Sequence, residues 1–230
     1  MTASELRREL EKLAEPSLEP FQKRIVSDTR YPMLCVRVPN MRSLAKKAAR
    51  EDWRWLVSQC EYTYYEEVLT AGLAAAYAGA TLADRLSVLW EYLIPKLDSW
   101  AMTDTIVPTL KIKESERPLA WEFACRCIDA EPEYTRRFGI VMLMDYFLTE
   151  EFIPLVEEKI SSIVDERYYV RMAAAWLLAE MGVSDFERVR RLLESGTLDL
   201  FTQNITIRKL RESYRITPEQ KAAAAAFRRK

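Results

Sequence analysis

The stretch TASELRRELEKLA, residues 2–14, repeats leucine with the period of an α-helix. Leu6, Leu10 and Leu13 fall on one side of such a helix, and charged residues fill the other side. Prolines at positions 16 and 20 then interrupt the pattern, because proline removes a helical N–H and clashes with the turn before it. The same alternation of apolar periodicity and interruption returns along the chain, so short amphipathic helices decide the fold.

This periodicity predicts about a dozen further helices, with boundaries uncertain by about 2–4 residues. They are expected at 18–28, 40–50, 52–59, 63–78, 81–94, 99–113, 117–129, 132–148, 150–163, 167–181, 184–195, 200–214 and 217–228. Between the helices expected at 18–28 and 40–50, residues 30–39 (RYPMLCVRVP) form an extended connector whose apolar side chains are expected to pack against the helices. Asp98 and Ser184 are the expected N-caps of their helices, and Gly182 and Gly196 are expected just past helix ends.

Paired helices without a convincing strand predict an all-α fold. The pairs recur at intervals of about 35–45 residues, which is the range of HEAT and armadillo units. We therefore expect one domain, residues 1–230, built as an α-α superhelix of paired antiparallel helices, a HEAT-like or armadillo-type solenoid. We expect the array to be curved and right-handed.

Composition excludes several classes of protein. Hydrophobic residues make up 49% and charged residues 30%, which is typical of a folded chain. The absence of histidine removes histidine-activated nucleophiles, and the spacing of the four cysteines fits neither a disulfide scaffold nor a zinc site. We expect no metal and no cofactor. The charged N-terminus and the lack of a long apolar run predict a cytoplasmic protein with no membrane contact.

The formal net charge of −1 bears on any nucleic-acid function. A DNA-binding domain usually carries a basic excess. DNA binding by this chain would therefore require a locally basic face.

The segment DSWAMTDTIVPT, residues 98–109, carries the first candidate site. Trp100 and Asp104 are four residues apart, so on a helix they share one face, where they could hold a sugar-phosphate backbone and stabilise a cation. The alternative is that Trp100 belongs to the core and Asp104 is solvated, as such residues usually are.

Two later helices carry the other candidates. Arg137 could bind a phosphate through its fork of N–H donors, or it could be an ordinary surface arginine. Trp176, among alanines, could project into a groove or pack in the core. The basic segment that contains Arg208, Lys209 and Arg211 fits an ordinary solvated helix and tail.

Together, Trp100-x-x-x-Asp104, Arg137 in the next repeat and Trp176 in the one after resemble the active-site set of the AlkD-type HEAT-like-repeat alkylpurine DNA glycosylases. Neighbouring sequence segments are also similar to that family: MLCVRVP at 33–39 followed by Arg42, FGIVMLMDY at 138–146, and RESYRIT at 211–217. The resemblance runs from about residue 21 to 217.

The resemblance implies DNA alkylation repair by hydrolysis of the N-glycosidic bond of positively charged N3- or N7-alkylated purines in double-stranded DNA. Asp104 would stabilise the oxocarbenium-like transition state and position water. Trp100 and Trp176 would cradle the backbone at the lesion, and Arg137 and Arg42 would bind DNA. The chain would be a monofunctional glycosylase and a monomer, with its site residues converging on one concave face.

Three positions depart from the family pattern. Cys35 stands where the family has glycine, and Asp145 and Ala179 stand where active members carry basic residues. The alternative function is therefore a non-catalytic HEAT-like scaffold that binds branched or damaged DNA, or a protein partner.

Overall fold

The structure is a computed structural model that describes residues 1–230, and it is all-helical with no strand. It divides into two compact units, residues 1–123 and 124–230. The α-helices are α1 Ala3–Lys12, α2 Glu19–Ile25, α3 Val38–Ala48, α4 Trp53–Gln59, α5 Tyr65–Tyr77, α6 Leu82–Val88, α7 Trp100–Ile106, α8 Arg117–Asp129, α9 Glu133–Tyr146, α10 Ile153–Ser161, α11 Tyr168–Ser184, α12 Phe186–Ser195, α13 Leu200–Glu212 and α14 Pro218–Ala225. None of these helices is long and apolar enough to cross a bilayer.

The first unit is organised around α5. This helix is buried from Tyr65 to Ala76 and packs against α1, α3, α4, α6 and α7. Small residues permit the close approach: a Cβ at Gly72 would lie 2.4 Å from Cδ1 of Ile106, at the end of α7. The neighbours α3, α5 and α7 are every second helix of the chain, which is the packing of stacked helix pairs.

The second unit repeats this arrangement around α11. That helix packs against α9, α12 and α13, so α9, α11 and α13 again pack in succession. A Cβ at Gly139 would lie 2.5 Å from the carbonyl oxygen of Ala124, so α8 and α9 are in backbone contact there. The prediction of an all-α fold of packed helix pairs is confirmed.

Two predicted helices are wrong in their last turns. The helix expected over 99–113 is α-helical only to Ile106 and continues as a 3-10 turn, Val107–Thr109, around Pro108. The helix expected over 81–94 widens into a π-turn, Leu89–Leu93. Pro95 follows, and because it lacks an N–H it cannot supply the bond that would close an α-helical turn.

Both predicted N-caps are one residue out. Ser99, rather than Asp98, caps α7 by accepting from the backbone N–H of Ala101. Asp185, rather than Ser184, caps α12, since α11 runs on to Ser184 and encloses Gly182. Gly196 does end α12 in the left-handed conformation, as predicted.

The connector between α2 and α3 packs down as predicted, with Cys35 and Val36 buried. Cys35 has a φ of +63°, which explains why glycine is expected at this position. The loop is held by the buried carboxylate of Glu66, which accepts from the backbone N–H groups of Leu34 (2.9 Å), Cys35 (2.7 Å) and Val36 (3.2 Å). Burial raises the pKa of Glu66, and these three donors oppose that rise.

Candidate nucleic-acid interface

The first candidate residue begins α7. Trp100 is the first residue of this helix and is half-buried. Its backbone N–H donates to Oδ2 of Asp28 at 2.8 Å, and the preceding Ser99 donates from Oγ to Oδ1 of the same carboxylate at 3.0 Å. The position of the indole is therefore tied to the connector after α2, and not only to its own helix.

Asp104 lies one turn further along α7 and is also half-buried. The hydroxyl of Thr103 lies 2.8 Å from Oδ1 of Asp104 and 2.8 Å from the carbonyl oxygen of Trp100. The alternative interpretation, a core Trp100 and a solvated Asp104, does not hold fully, because both residues are half-buried. An oriented, partly exposed carboxylate next to an indole can stabilise a nearby positive charge.

Arg42, on α3, is half-buried and bridges two other helical segments of the first unit. Its Nη1 donates to the hydroxyl of Tyr77 at 2.7 Å and to Oγ1 of Thr109 at 2.9 Å. Lys46, one turn on, places its ammonium 5.3 Å from the centroid of the Tyr77 ring. Arg42 and Lys46 thus both contact Tyr77, and Thr109 links Arg42 to the 3-10 turn that follows α7.

Arg137, on α9 of the second unit, is not the surface arginine of the alternative interpretation, because only 5% of it is exposed. Its Nη1 donates to the carbonyl oxygen of Tyr169, at the start of α11, at 2.9 Å. The guanidinium therefore helps to fix α9 to α11 and places a permanent positive charge inside the unit.

Trp176, on α11, is half-buried and faces a cation on the next packed helix. The Nζ atom of Lys209, on α13, lies 5.7 Å from the centroid of the Trp176 ring. Burial lowers the pKa of Lys209, and the positive charge of Arg137 adds to the lowering. Arg137, Trp176 and Lys209 form the cationic cluster of the second unit, contributed by α9, α11 and α13.

Sequence reasoning missed Lys209, which it assigned to a solvated basic segment. The neighbouring Leu210 is fully buried and Lys209 is half-buried, so this part of α13 is not a free tail. No local pattern identifies Lys209, because its partners lie on two other helices. The departures at Asp145 and Ala179 differ in kind: the aspartate is exposed, whereas the alanine is buried at 5% exposure and reaches little of the surface.

The structure thus brings Trp100 and Asp104 together on α7, and Arg137 and Trp176 together through Lys209. That all the candidates act at one concave face stays a prediction.

These features define an all-α protein of stacked helix pairs. Its candidate groups are partly exposed indoles, an oriented carboxylate and buried or half-buried cations, and cations and indoles are groups that bind a polyanion such as a nucleic acid. The sequence model of the family described as DNA alkylation repair enzyme matches residues 6–215. The chain belongs to that family, which implies a role in DNA alkylation repair, with DNA as the partner. Comparison with curated proteins and with solved structures found no match.

Proposed function

We propose that this protein hydrolyses the N-glycosidic bond of N3- or N7-alkylated purines in double-stranded DNA, as a monofunctional glycosylase. The observation that carries this proposal is the pairing on α7: a half-buried carboxylate at Asp104 lies one helical turn from a half-buried indole at Trp100. The match to the DNA alkylation repair family over residues 6–215 supports the proposal, because it makes alkylated DNA the expected target.

Asp104 acts on charge that develops at the sugar. As the bond between C1′ and the base nitrogen breaks, its electron pair leaves with the cationic base, which is released neutral. Positive charge grows on the deoxyribose, and the Asp104 carboxylate stabilises it. A water molecule adds its oxygen to C1′ and loses one proton. Since the alkylated base is already cationic, no strong general acid is required, and a chain without histidine can carry out the reaction.

The remaining residues hold the DNA. Trp100 and Trp176 contact the backbone at the lesion, and the cations Arg42, Arg137 and Lys209 attract phosphates. We expect weak binding, because 34 basic residues are balanced by 35 acidic ones, and we expect it to be salt-sensitive, because the attraction is to phosphates. We also propose that the protein acts as a monomer and as one domain, in the cytoplasm.

The test is release of free base from a duplex that contains one N7-methylguanine, with protein in excess. We expect free N7-methylguanine and an abasic strand, and no release from the same duplex without the lesion. Binding should be measured on the same preparation, so that a lack of release can be separated from a lack of contact.

A second candidate function is that of a non-catalytic scaffold for branched or damaged DNA, or for a protein partner. The exposed carboxylate of Asp145, where active relatives carry a basic residue, favours it because an acidic group repels phosphate. Binding of the lesion duplex without any base release would support this function and exclude the glycosylase.

A further inference from the structure

The connector between α2 and α3 and the start of α7 exchange hydrogen bonds in both directions. Asp28 accepts from the Trp100 backbone N–H (2.8 Å) and from the Ser99 hydroxyl (3.0 Å). In return, Asp98 accepts from the backbone N–H of Arg30 at 2.7 Å and from the hydroxyl of Thr29 at 2.7 Å. We call residues 28–30 together with residues 98–100 the double clasp.

The double clasp is stronger than an ordinary loop contact. All four bonds have a carboxylate acceptor, and such charge-assisted bonds are roughly twice as strong as neutral ones. Asp98 is 7% exposed and Ser99 is fully buried, so water competes little for these groups. The buried Asp98 carboxylate and Ser99 hydroxyl therefore hold their partners in one arrangement, and the half-buried Asp28 accepts from the same segment.

Asp28 is not needed to start α7. Ser99 already caps that helix, since its side chain accepts from the N–H of Ala101. What Asp28 adds is a bond to a residue 72 positions away in sequence, which fixes where the helix begins and how it is turned. Because α7 is only 7 residues long, a shift at Trp100 is transmitted to Asp104 one turn later.

We propose that Asp28 is a positioning residue for the site on α7: through Trp100 it holds the indole and the Asp104 carboxylate in their working places. This inference rests on the proposed function for its kinetic consequence. The positioning itself can be measured without any reaction.

The variants are Asp28→Ala, Asp28→Asn and a matched control, Asp52→Ala. Asp52 caps α4, which is also 7 residues long, and accepts from the N–H of Trp55 at 3.1 Å. The control removes a helix-capping carboxylate from the same unit without touching α7. The protein is labelled with 5-fluorotryptophan, and the Trp100 resonance is assigned as the one missing from Trp100→Phe. The ¹⁹F spectrum, the melting temperature, the DNA dissociation constant and the single-turnover release of N7-methylguanine are then measured.

In Asp28→Ala we expect the Trp100 resonance to shift or broaden and the release rate to fall roughly tenfold, because small misplacements of reacting groups cost one to two orders of magnitude. The dissociation constant should stay within about twofold, since no phosphate contact is lost. Asp28→Asn should restore most of the rate, because its amide oxygen still accepts from the Trp100 N–H. Asp52→Ala should lower the melting temperature and leave the resonance and the rate unchanged. Should Asp28→Ala fail to fold, Asp28→Glu keeps the charge and displaces it by one methylene, and we expect a smaller change of the same kind.

An unchanged Trp100 resonance in Asp28→Ala would overturn the proposal, as would a release rate in that variant that falls only as far as the folded fraction does. If the resonance moves but the parent protein releases no base, the positioning by Asp28 stands and the glycosylase function fails.

Discussion

The two units place charge in opposite ways around similar frameworks. In the first unit, the candidate carboxylate Asp104 is oriented by a hydroxyl, and Arg42 is held between two hydroxyls. In the second, burial and the nearby positive charge of Arg137 lower the pKa of Lys209, and the Lys209 ammonium faces the ring of Trp176. The first unit thus provides a negative group that can stabilise a cation, and the second provides buried positive charge that an anion would relieve. We infer that chemistry belongs to the first unit and that much of the DNA affinity belongs to the second.

The largest effect should come from Asp104→Asn. The amide keeps the shape and one oxygen for the Thr103 hydroxyl, but it cannot stabilise growing positive charge on the sugar. Loss of one such preorganised group typically costs about 3 kcal/mol, or about two orders of magnitude in rate. Single-turnover release of N7-methylguanine measures it, with melting temperatures beside it. We expect a normal melting temperature, because the amide has the size of the carboxylate and its oxygen still accepts from the Thr103 hydroxyl. Equal release rates in variant and parent would remove Asp104 from the mechanism.

The next effect concerns the frameworks, in each of which one glycine lies where two helical segments approach closely. Gly139→Ala drives a Cβ to 2.5 Å from the backbone oxygen of Ala124, which can move only if α8 moves. Gly72→Ala meets the ends of the Ile106 and Leu93 side chains, which can rotate. Overpacking typically costs about 1–3 kcal/mol, and alanine recovers up to about 1 kcal/mol of helix propensity. We expect Gly139→Ala to destabilise by about 2 kcal/mol and Gly72→Ala by less, measured by urea unfolding. The reverse order would mean that the second unit is the more adaptable one.

The sequence predicts the frameworks well because helices such as α9 and α11 have long runs of apolar residues and few interruptions. It places Trp100 and Asp104 on one face because they share one helix, which periodicity alone can establish. It misplaces Asp98, since aspartate and serine are both good N-caps and only the tertiary fold engages Asp98 with Thr29. Likewise, no local pattern identifies Lys209 or Asp28, because the partner of each is distant in sequence. Lys209 faces Trp176, 33 residues away, and Asp28 bonds to Trp100, 72 residues away.

A comparable effect is expected for Arg137→Ala, and it should appear in both binding and stability. Truncation leaves the carbonyl oxygen of Tyr169 without the bond from Nη1, and a lost bond to a charged group costs about 1.5–3 kcal/mol. It also removes one positive charge from the cluster, so DNA affinity should fall by about tenfold, which corresponds to about 1.4 kcal/mol. Fluorescence anisotropy with the lesion duplex measures the affinity, at a fixed salt concentration.

Arg137→Lys is the matched variant for this position. It keeps the charge but loses the planar fork, so we expect it to restore DNA affinity more than it restores the melting temperature. An Arg137→Ala protein that binds DNA as well as the parent would separate the cluster from DNA binding.

The smallest effect, and the one that most sharpens the contrast between the units, is expected for Lys209→Met. This change keeps most of the aliphatic stem and removes the ammonium. In the folded protein burial and the positive charges of Arg208 and Arg137 disfavour the charge of that ammonium, whereas the carboxylates of Glu212 and Glu180 favour it. Together these influences lower the pKa of Lys209, so holding the charge costs more in the folded protein than in the unfolded chain. Below this folded-state pKa the lysine is protonated in both the folded and the unfolded chain, and the penalty is fully present. As pH rises through the folded-state pKa toward the ordinary value, the folded protein sheds the proton first and the penalty is relieved. Lys209→Met should therefore raise the melting temperature slightly at pH 7, and the gain should shrink as the pH approaches about 10.

DNA affinity, in contrast, should fall in Lys209→Met. A plot of log K against log salt should be less steep by about 0.9, the change for one lost phosphate contact. A variant that melts lower than the parent at pH 7 would show that the Lys209 ammonium stabilises the fold. A variant that keeps the parent's salt slope would show that Lys209 does not contact a phosphate.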